Sequence, residues 1–460
     1  MDSSGSMKKT DPRELRKPAA KLFISLLGDE DRLSVVSFSD NAYPITFLTQ
    51  LNSERNKNRS LNATERISSK GIYTNIYAAI NKGINFLKKS QSLQRDPIIV
   101  LMSDGQMDVG DDIQSQVLRE QIKTELIPLL QQHKIKIYSI AFTEQSDQTL
   151  LQEIADATDG RYALAASDDV LHKVFAKIFE QSKQPNMLPL TENSFTADPS
   201  IREITILANK KDENSQILLQ SPNGEKFNST FKSKHLKWFV SSSFDMITLS
   251  KPEPGEWKIL LSDNDNKAYI IADVKLRTKF AYNTSAYYPE LSIDTWLIRD
   301  QETITHDALL DNLELSLEIE HPNGEIENLS FDKANTESIF NVTYTPTMDG
   351  IYSASVIAIS KTFQRQQTFS FRSVVPKQPE PLPLPLPATQ TAINPDPLPV
   401  TETTMDPETE SSITGNNSPA QDPEQDKLTQ ALIIFAIINV IIIFLAVNGY
   451  FTYRILKNKK

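Results

Sequence analysis

The 460-residue chain contains no cysteine. That absence removes disulfide frameworks, thiolate metal sites and cysteine nucleophiles together. Histidine is scarce: His133, His172, His235, His306 and His321 fall into no HExxH or comparable metal spacing, which leaves them as surface or structural side chains. There is no GxxxxGK[ST] loop and no GxSxG elbow, so neither a phosphate cradle nor a hydrolase nucleophile has support. Positive charge is short as well. With 48 Lys and Arg against 59 Asp and Glu the net charge is -11 and the pI about 5.2, the reverse of a nucleic-acid footprint. Finally, the opening residues MDSSGSM offer neither a basic n-region nor an apolar h-region.

What is present divides by texture. Length alone argues for about three domains. Over 1-183, amphipathic helical periods alternate with short apolar runs. Helices are expected over Leu15 to Leu27, Asn75 to Lys89, Gln114 to Gln132, Leu150 to Thr158 and Asp168 to Gln181. Strands are expected at LSVVSF (Leu33 to Phe38), PIIVLMS (Pro97 to Ser103) and KIYSIAF (Lys136 to Phe142), with RYALA as an edge strand. The alternation predicts an α/β fold, a doubly wound and mostly parallel sheet covered on both faces.

From about Glu192 to Val375 short alternating runs bounded by turn residues predict two β-sandwich domains of Ig-like type, at 190-280 and 281-375. An internal repeat supports the number. Ser221 to Lys226 (SPNGEK) recurs as His321 to Ile326 (HPNGEI), and each is followed by a glycine that opens an aromatic strand, Gly255-Glu256-Trp257 and Gly350-Ile351-Tyr352. Residues 376-427, rich in Pro, Thr, Glu and Asn, predict a disordered stalk.

Leu428 to Tyr453 carries no charge and is long enough to cross ~30 Å of hydrocarbon. Its apolar content on every face argues against a buried core helix. Asp422, Glu424 and Asp426 precede it, and Arg454, Lys457, Lys459 and Lys460 follow in the tail 454-460. The positive-inside rule then predicts a single-pass membrane protein with the C-terminus in the cytoplasm and the bulk outside.

The residues that carry chemistry lie in the first region. Asp2, Ser4 and Ser6 form an Asp-x-Ser-x-Ser loop that aims a carboxylate and two hydroxyls at a common point, with Gly5 allowing the bend. Thr74 stands just ahead of a helix and Asp104 at the end of an apolar strand, the edge along which a doubly wound sheet gathers its ligands. Hard oxygen donors without His or Cys fit a divalent cation such as Mg²⁺, with Mn²⁺ or Ca²⁺ as alternatives. Waters and one outside ligand would complete the shell. An ordinary helix cap would account for Asp2, Ser4 and Ser6 alone but not for the ordered five. Asp108, Asp111 and Asp112 read as a solvated loop and helix start, and Trp238, Trp257 and Trp296 as core.

DSSGSM, the threonine of GIYTN, the LMSDG strand end and the run IADATDGRYALAASDDVLHKVFAKIFEQ resemble the von Willebrand factor type A (VWA) domain, the last resembling its bacterial versions. The resemblance covers Met1 to about Ser182. It implies a metal-ion-dependent adhesion site at Asp2, Ser4, Ser6, Thr74 and Asp104, and binding of a partner protein through an acidic residue that completes the metal shell. In the family the Asp-x-Ser-x-Ser loop follows a buried central strand, whereas only Met1 precedes Asp2 here. A natural product that starts upstream, with a signal peptide and that strand, is therefore expected.

The reading that follows is a membrane-anchored adhesion or scaffold protein of a bacterial cell envelope, not an enzyme. An accessory subunit of a membrane complex, with metal-independent main contacts, is the second reading. A metal-dependent hydrolase is the third, and it lacks the motifs named above.

Overall fold

The computed structural model describes residues 1–374 apart from 89–95, 166, 168–169, 284–289, 306–308, 311, 333–335 and 362. The described residues fall in one compact unit. The expected stalk, membrane span and basic tail lie outside the described residues. Among the described residues no helix is long and apolar enough to cross a membrane.

The chain opens with α1 (Met7–Thr10) and α2 (Arg16–Leu26), then β1 (Arg32–Leu33), β2 (Val36–Phe38), β3 (Ala42–Pro44) and β4 (Thr49–Gln50). The run expected as one strand from Leu33 to Phe38 is broken at Ser34 and Val35. There the Ser34 hydroxyl donates to the Thr46 carbonyl, the Val35 N–H donates to Thr46 Oγ1, and the Val35 carbonyl accepts from both Ile45 and Thr46. Two carbonyl contacts at one residue displace the ladder, as in a bulge.

Next come α3 (Glu54–Thr64), α4 (Ile76–Lys88), β5 (Ile98–Ser103) and α5 (Asp112–Gln121). The Asp111 carboxylate caps α5 by accepting from the Gln114 N–H at 2.7 Å, the helix-start role expected for that acidic loop. The helix expected through Gln132 is interrupted by a π turn, Ile122–Leu126, before α6 (Ile127–Gln132). Pro128 explains the break: it has no N–H to donate and its ring crowds the carbonyl of Thr124 four residues back. After β6 (Lys136–Ala141), α7 (Gln148–Ala157), β7 (Arg161–Leu164) and α8 (Leu171–Lys183) complete this part.

Strands β5, β6 and β7 are parallel and adjacent. Residues Met1 to Ser3 lie between β2 and β5. The Phe38 N–H donates to the Met1 carbonyl and the Phe38 carbonyl accepts from the Ser3 N–H, while the Asp2 N–H donates to the Met102 carbonyl. Apolar side chains of α4, α5 and α7 bury one face of β5 and β6, and those of α2 and α8 bury the other. This is the expected α/β architecture with a parallel sheet.

The β-rich region begins with β8 (Asn186–Leu188), β9 (Ser194–Ala197), β10 (Ile201–Asn209), β11 (Leu218–Gln220) and β12 (Lys226–Phe227). It continues with β13 (Leu236–Val240), β14 (Phe244–Ser250), β15 (Gly255–Leu260) and β16 (Lys267–Ala272). A further set follows: β17 (Val274–Asn283), β18 (Glu290–Arg299), β19 (Glu302–Thr303), β20 (Glu314–Glu320), β21 (Ile326–Ser330), β22 (Phe340–Tyr344), β23 (Gly350–Ile359) and β24 (Gln364–Ser373). Two separate apolar cores form, one within 188–272 and one within 274–371. They share a nine-stranded sheet in the order β13-β14-β10-β16-β8-β24-β23-β20-β21, and the three residues of β8 join its halves. Asn186 fixes that joint by accepting from the Leu276 N–H and donating to the Leu276 carbonyl. Arg365, fully buried, ties the halves again through Asp198 at 2.6 Å and the Val274 carbonyl.

The internal repeat has a common geometry. Gly224 and Gly324 hold φ of 88° and 87° at equivalent positions of their turns, a conformation that glycine adopts without strain. Gly255 and Gly350, at φ 131° and 134°, leave space that a Cβ would fill against Pro222 and Pro322 at 2.8 Å in each case. Two residues later Trp257 Nε1 donates to the Glu253 carbonyl, and the Tyr352 hydroxyl donates to that of Met348. Each unit thus closes the same corner with a glycine, a proline and an aromatic donor.

The α/β part rests on this sheet through α8. Phe175, Phe179, Leu207, Phe244 and Tyr269 belong to one buried cluster, His172 Nε2 meets Asn209 Oδ1 at 2.8 Å, and the Tyr269 hydroxyl donates to Glu180 Oε1 at 2.8 Å. Burial pushes the Glu180 carboxyl above its usual range, with the nearby Lys267 charge opposing. The folded state therefore holds a proton there more tightly than the unfolded chain. Stability from this group is complete below about pH 4.5 and is lost as pH rises through the raised value. Glu180→Gln keeps an acceptor for Tyr269, so urea denaturation should show a smaller loss of stability between pH 4.5 and neutrality than in the wild type. An unchanged slope would contradict this assignment.

Candidate functional site

The C-terminal edge of the parallel sheet is where the five expected residues lie. Asp2 ends the stub beside β5, Asp104 follows β5, Ser4 and Ser6 occupy the loop into α1, and Thr74 precedes α4. The Asp2 side chain is 0% exposed, and its two oxygens are engaged separately. Oδ1 accepts from the Ser4 N–H at 2.8 Å and Oδ2 from the Ser103 hydroxyl at 2.7 Å. The Ser4 and Ser6 hydroxyls lie 2.9 Å apart, and both reach Asp104 Oδ1, at 3.3 and 2.9 Å. Thr74 is fixed through its backbone, which exchanges both hydrogen bonds with Asp108. Its Oγ1 lies 3.0 Å from where a Cβ on Gly105 would stand, next to Asp104. All five are thus gathered at one edge.

Two carboxylates are brought together with no cation to balance them: neither Asp2 nor Asp104 forms an ion pair among the described residues. Burial pushes the Asp2 carboxyl above its usual range and the Asp104 charge adds to this, while hydrogen bonds from Ser4 and Ser103 oppose it. A buried carboxylate facing a second one is stabilised by a cation. The donors offered, two carboxylates and three hydroxyls, are hard oxygens, so the residues present fit Mg²⁺ or a similar ion.

Gly5 acts differently from the expectation. Its φ is not positive, and a Cβ there would sit 3.2 Å from the Gly71 carbonyl, so glycine supplies room and not a bend. Three further side chains shape the site and were not singled out in the sequence. Thr10, one helical turn after Ser6, donates to Asp104 Oδ2 at 2.6 Å, and Ser103 holds Asp2. Arg16 and Asp11, both 0% exposed, form an ion pair at 2.6 Å. The Asp11 carboxylate also accepts from the Leu15 N–H, while Arg16 donates to Ser69 Oγ and the Ser68 carbonyl. The pair thereby ties the loop of Ser4 and Ser6 to the segment that leads to Thr74. Burial pushes the Asp11 carboxyl up against the opposing pull of Arg16. Removing one member leaves the other buried without its partner, so Asp11→Ala should cost about 3–5 kcal/mol in denaturant unfolding. The double change Asp11→Ala, Arg16→Met should recover part of that loss, and equal stability of both variants would contradict the pairing.

Comparison with known proteins bears on the family of the first region. Residues 1–177 match the von Willebrand factor type A domain model, and residues 179–271 match the hemicentin galactose-binding domain-like model. An uncharacterized protein of Synechocystis sp. is 26% identical over 181 residues, which span 39% of this chain and 40% of that protein. Among solved structures, a von Willebrand factor type A protein from Catenulispora acidiphila is 15% identical, covering 66% of this chain and 62% of its own, with a TM-score of 0.34. Proximal thread matrix protein 1 from the mussel byssus, with a zinc-occupied MIDAS motif, is 16% identical, covering 39% and 46%, with a TM-score of 0.32. The vWF domain of a type V pili tip protein from Porphyromonas gingivalis is 13% identical, covering 39% and 91%, with a TM-score of 0.28. The first 177 residues of this chain are a von Willebrand factor type A domain.

Proposed function

We propose that this chain binds a partner protein through a divalent cation held by Asp2, Ser4, Ser6, Thr74 and Asp104, and that it is a binding protein and not an enzyme. The observation that carries the reading is the convergence of the Ser4 and Ser6 hydroxyls on Asp104 beside the buried, cation-free Asp2. These residues would hold Mg²⁺, which would supply a positive centre able to attract a carboxylate from another molecule. The chain's own part is to hold the donors in place: Ser103 and the Ser4 N–H orient Asp2, and Thr10 orients Asp104.

In this reading the β-rich units are Ig-like spacers, and residues 376-427 are a stalk. Leu428 to Tyr453 anchors the protein in a cell-envelope membrane with the folded part outside. The charge pattern around Leu428 to Tyr453 supports that orientation.

Ligand that binds only the folded chain stabilises it, by about 2.7 kcal/mol at a hundredfold excess over Kd. Mg²⁺ should therefore raise the thermal midpoint of the wild type, and chelator should reverse the shift. In Asp104→Asn, which keeps the size of the side chain, the shift should vanish. An equal Mg²⁺ shift in wild type and variant would overturn the assignment.

A further inference from the structure

Two open grooves meet where the first domain touches the edge of the nine-stranded sheet, and cations line both. The first, about 730 Å³, follows α3 past Arg55, Arg59, Asn62 and Arg66. Arg55, Arg59 and Asn62 fall at i, i+4 and i+7 on one face of α3, and Arg66 follows just past its end. The second, about 460 Å³, lies on the crossover into β13, where Lys232, Lys234 and Lys237 surround Phe231 and Trp238. Glu54, the first residue of α3, ion-pairs with Lys237 at 3.1 Å, which makes the grooves neighbours.

Arg55, Arg59, Arg66, Lys232 and Lys234 are exposed, and none of them has a carboxylate within ion-pairing distance among the described residues. Five unneutralised cations on one face of a chain of net charge -11 form a local field that selects anions. The remaining chemistry of the face is that of sugar recognition. Phe231 is 41% exposed, and its ring is held against Phe227, which stacks on Trp257. It thus offers a fixed apolar surface. Asn58 and Asn62 are exposed, and an amide offers both a donor and an acceptor, as hydroxyl groups require. An acidic polypeptide could use the cations and the amides as well, so the fixed aromatic face beside them is what suits a sugar ring.

We propose that this face binds an acidic polysaccharide, with carboxylate or sulfate groups on the arginines and lysines, hydroxyls on Asn58 and Asn62, and a sugar ring against Phe231. The site is separate from the metal centre and uses none of its residues.

Binding of the full-length chain to heparin, dextran and poly-glutamate, measured in chelator at low and high salt, tests the proposal. Heparin should bind saturably without divalent metal, and more weakly at high salt. Dextran should not bind, and poly-glutamate should bind about tenfold more weakly than heparin or worse. The pairs Arg55→Gln, Arg59→Gln and Lys232→Gln, Lys234→Gln lie on the surface and should melt as the wild type does. Each should weaken heparin binding about tenfold, through lost charge-assisted hydrogen bonds. Absence of heparin binding, unchanged affinity in both pairs, or poly-glutamate binding as tight as heparin would overturn the proposal, the last in favour of an acidic polypeptide.

Discussion

Two carboxylates, Asp2 and Asp104, stand together at the C-terminal edge of a parallel sheet, one of them fully buried and neither ion-paired among the described residues. Much of the local structure serves to keep them there. Ser103, the Ser4 N–H, Ser6 and Thr10 satisfy their oxygens, and the buried Asp11–Arg16 pair locks the loops that carry the hydroxyl donors. Burial of one carboxylate close to another is a situation that a bound cation would relieve, and the proposed metal site rests on it. An ion pair as deeply buried as Asp11–Arg16 adds little net stability. Its value here is positional.

The second constraint is the docking of α8 on the nine-stranded sheet. The apolar cluster of the first domain runs without a break into Leu207, Phe244 and Tyr269, and Glu180 and His172 add polar contacts across the same seam. The edge that carries Asp2 and Asp104, the α8 seam and the two β cores therefore belong to one packed unit. The basic face crosses the same junction at Glu54 and Lys237, so both candidate binding surfaces are presented by one packed body.

The α/β architecture was legible because its signals are local: helical periods, short apolar strands, and an acidic helix start that proved to cap α5. That Asp2, Ser4, Ser6, Thr74 and Asp104 would gather at one edge was legible for the same reason, since strand ends and helix starts share one edge in such a sheet. The Pro-Asn-Gly repeat carried its geometry in sequence, down to the proline that each later glycine accommodates. What stayed hidden depends on distant contacts. Ser103 and Asp2 are 101 positions apart, and Arg16 looks like a solvated helix charge until its burial is seen. Strand β8, three residues long, joins the two halves of the nine-stranded sheet through pairings with residues far along the chain, and no local pattern announces it.

The central claim is that the metal at this edge keeps a coordination position open for an outside carboxylate. Mn²⁺ titration followed by water-proton relaxation reads this directly, because bound ions with exchangeable water enhance relaxation. The account predicts a saturable enhancement that falls when a carboxylate ligand is added, and no enhancement with Asp2→Asn, Asp104→Asn. Absence of Mn²⁺ binding in the wild type, or the same titration in the double variant, would contradict it.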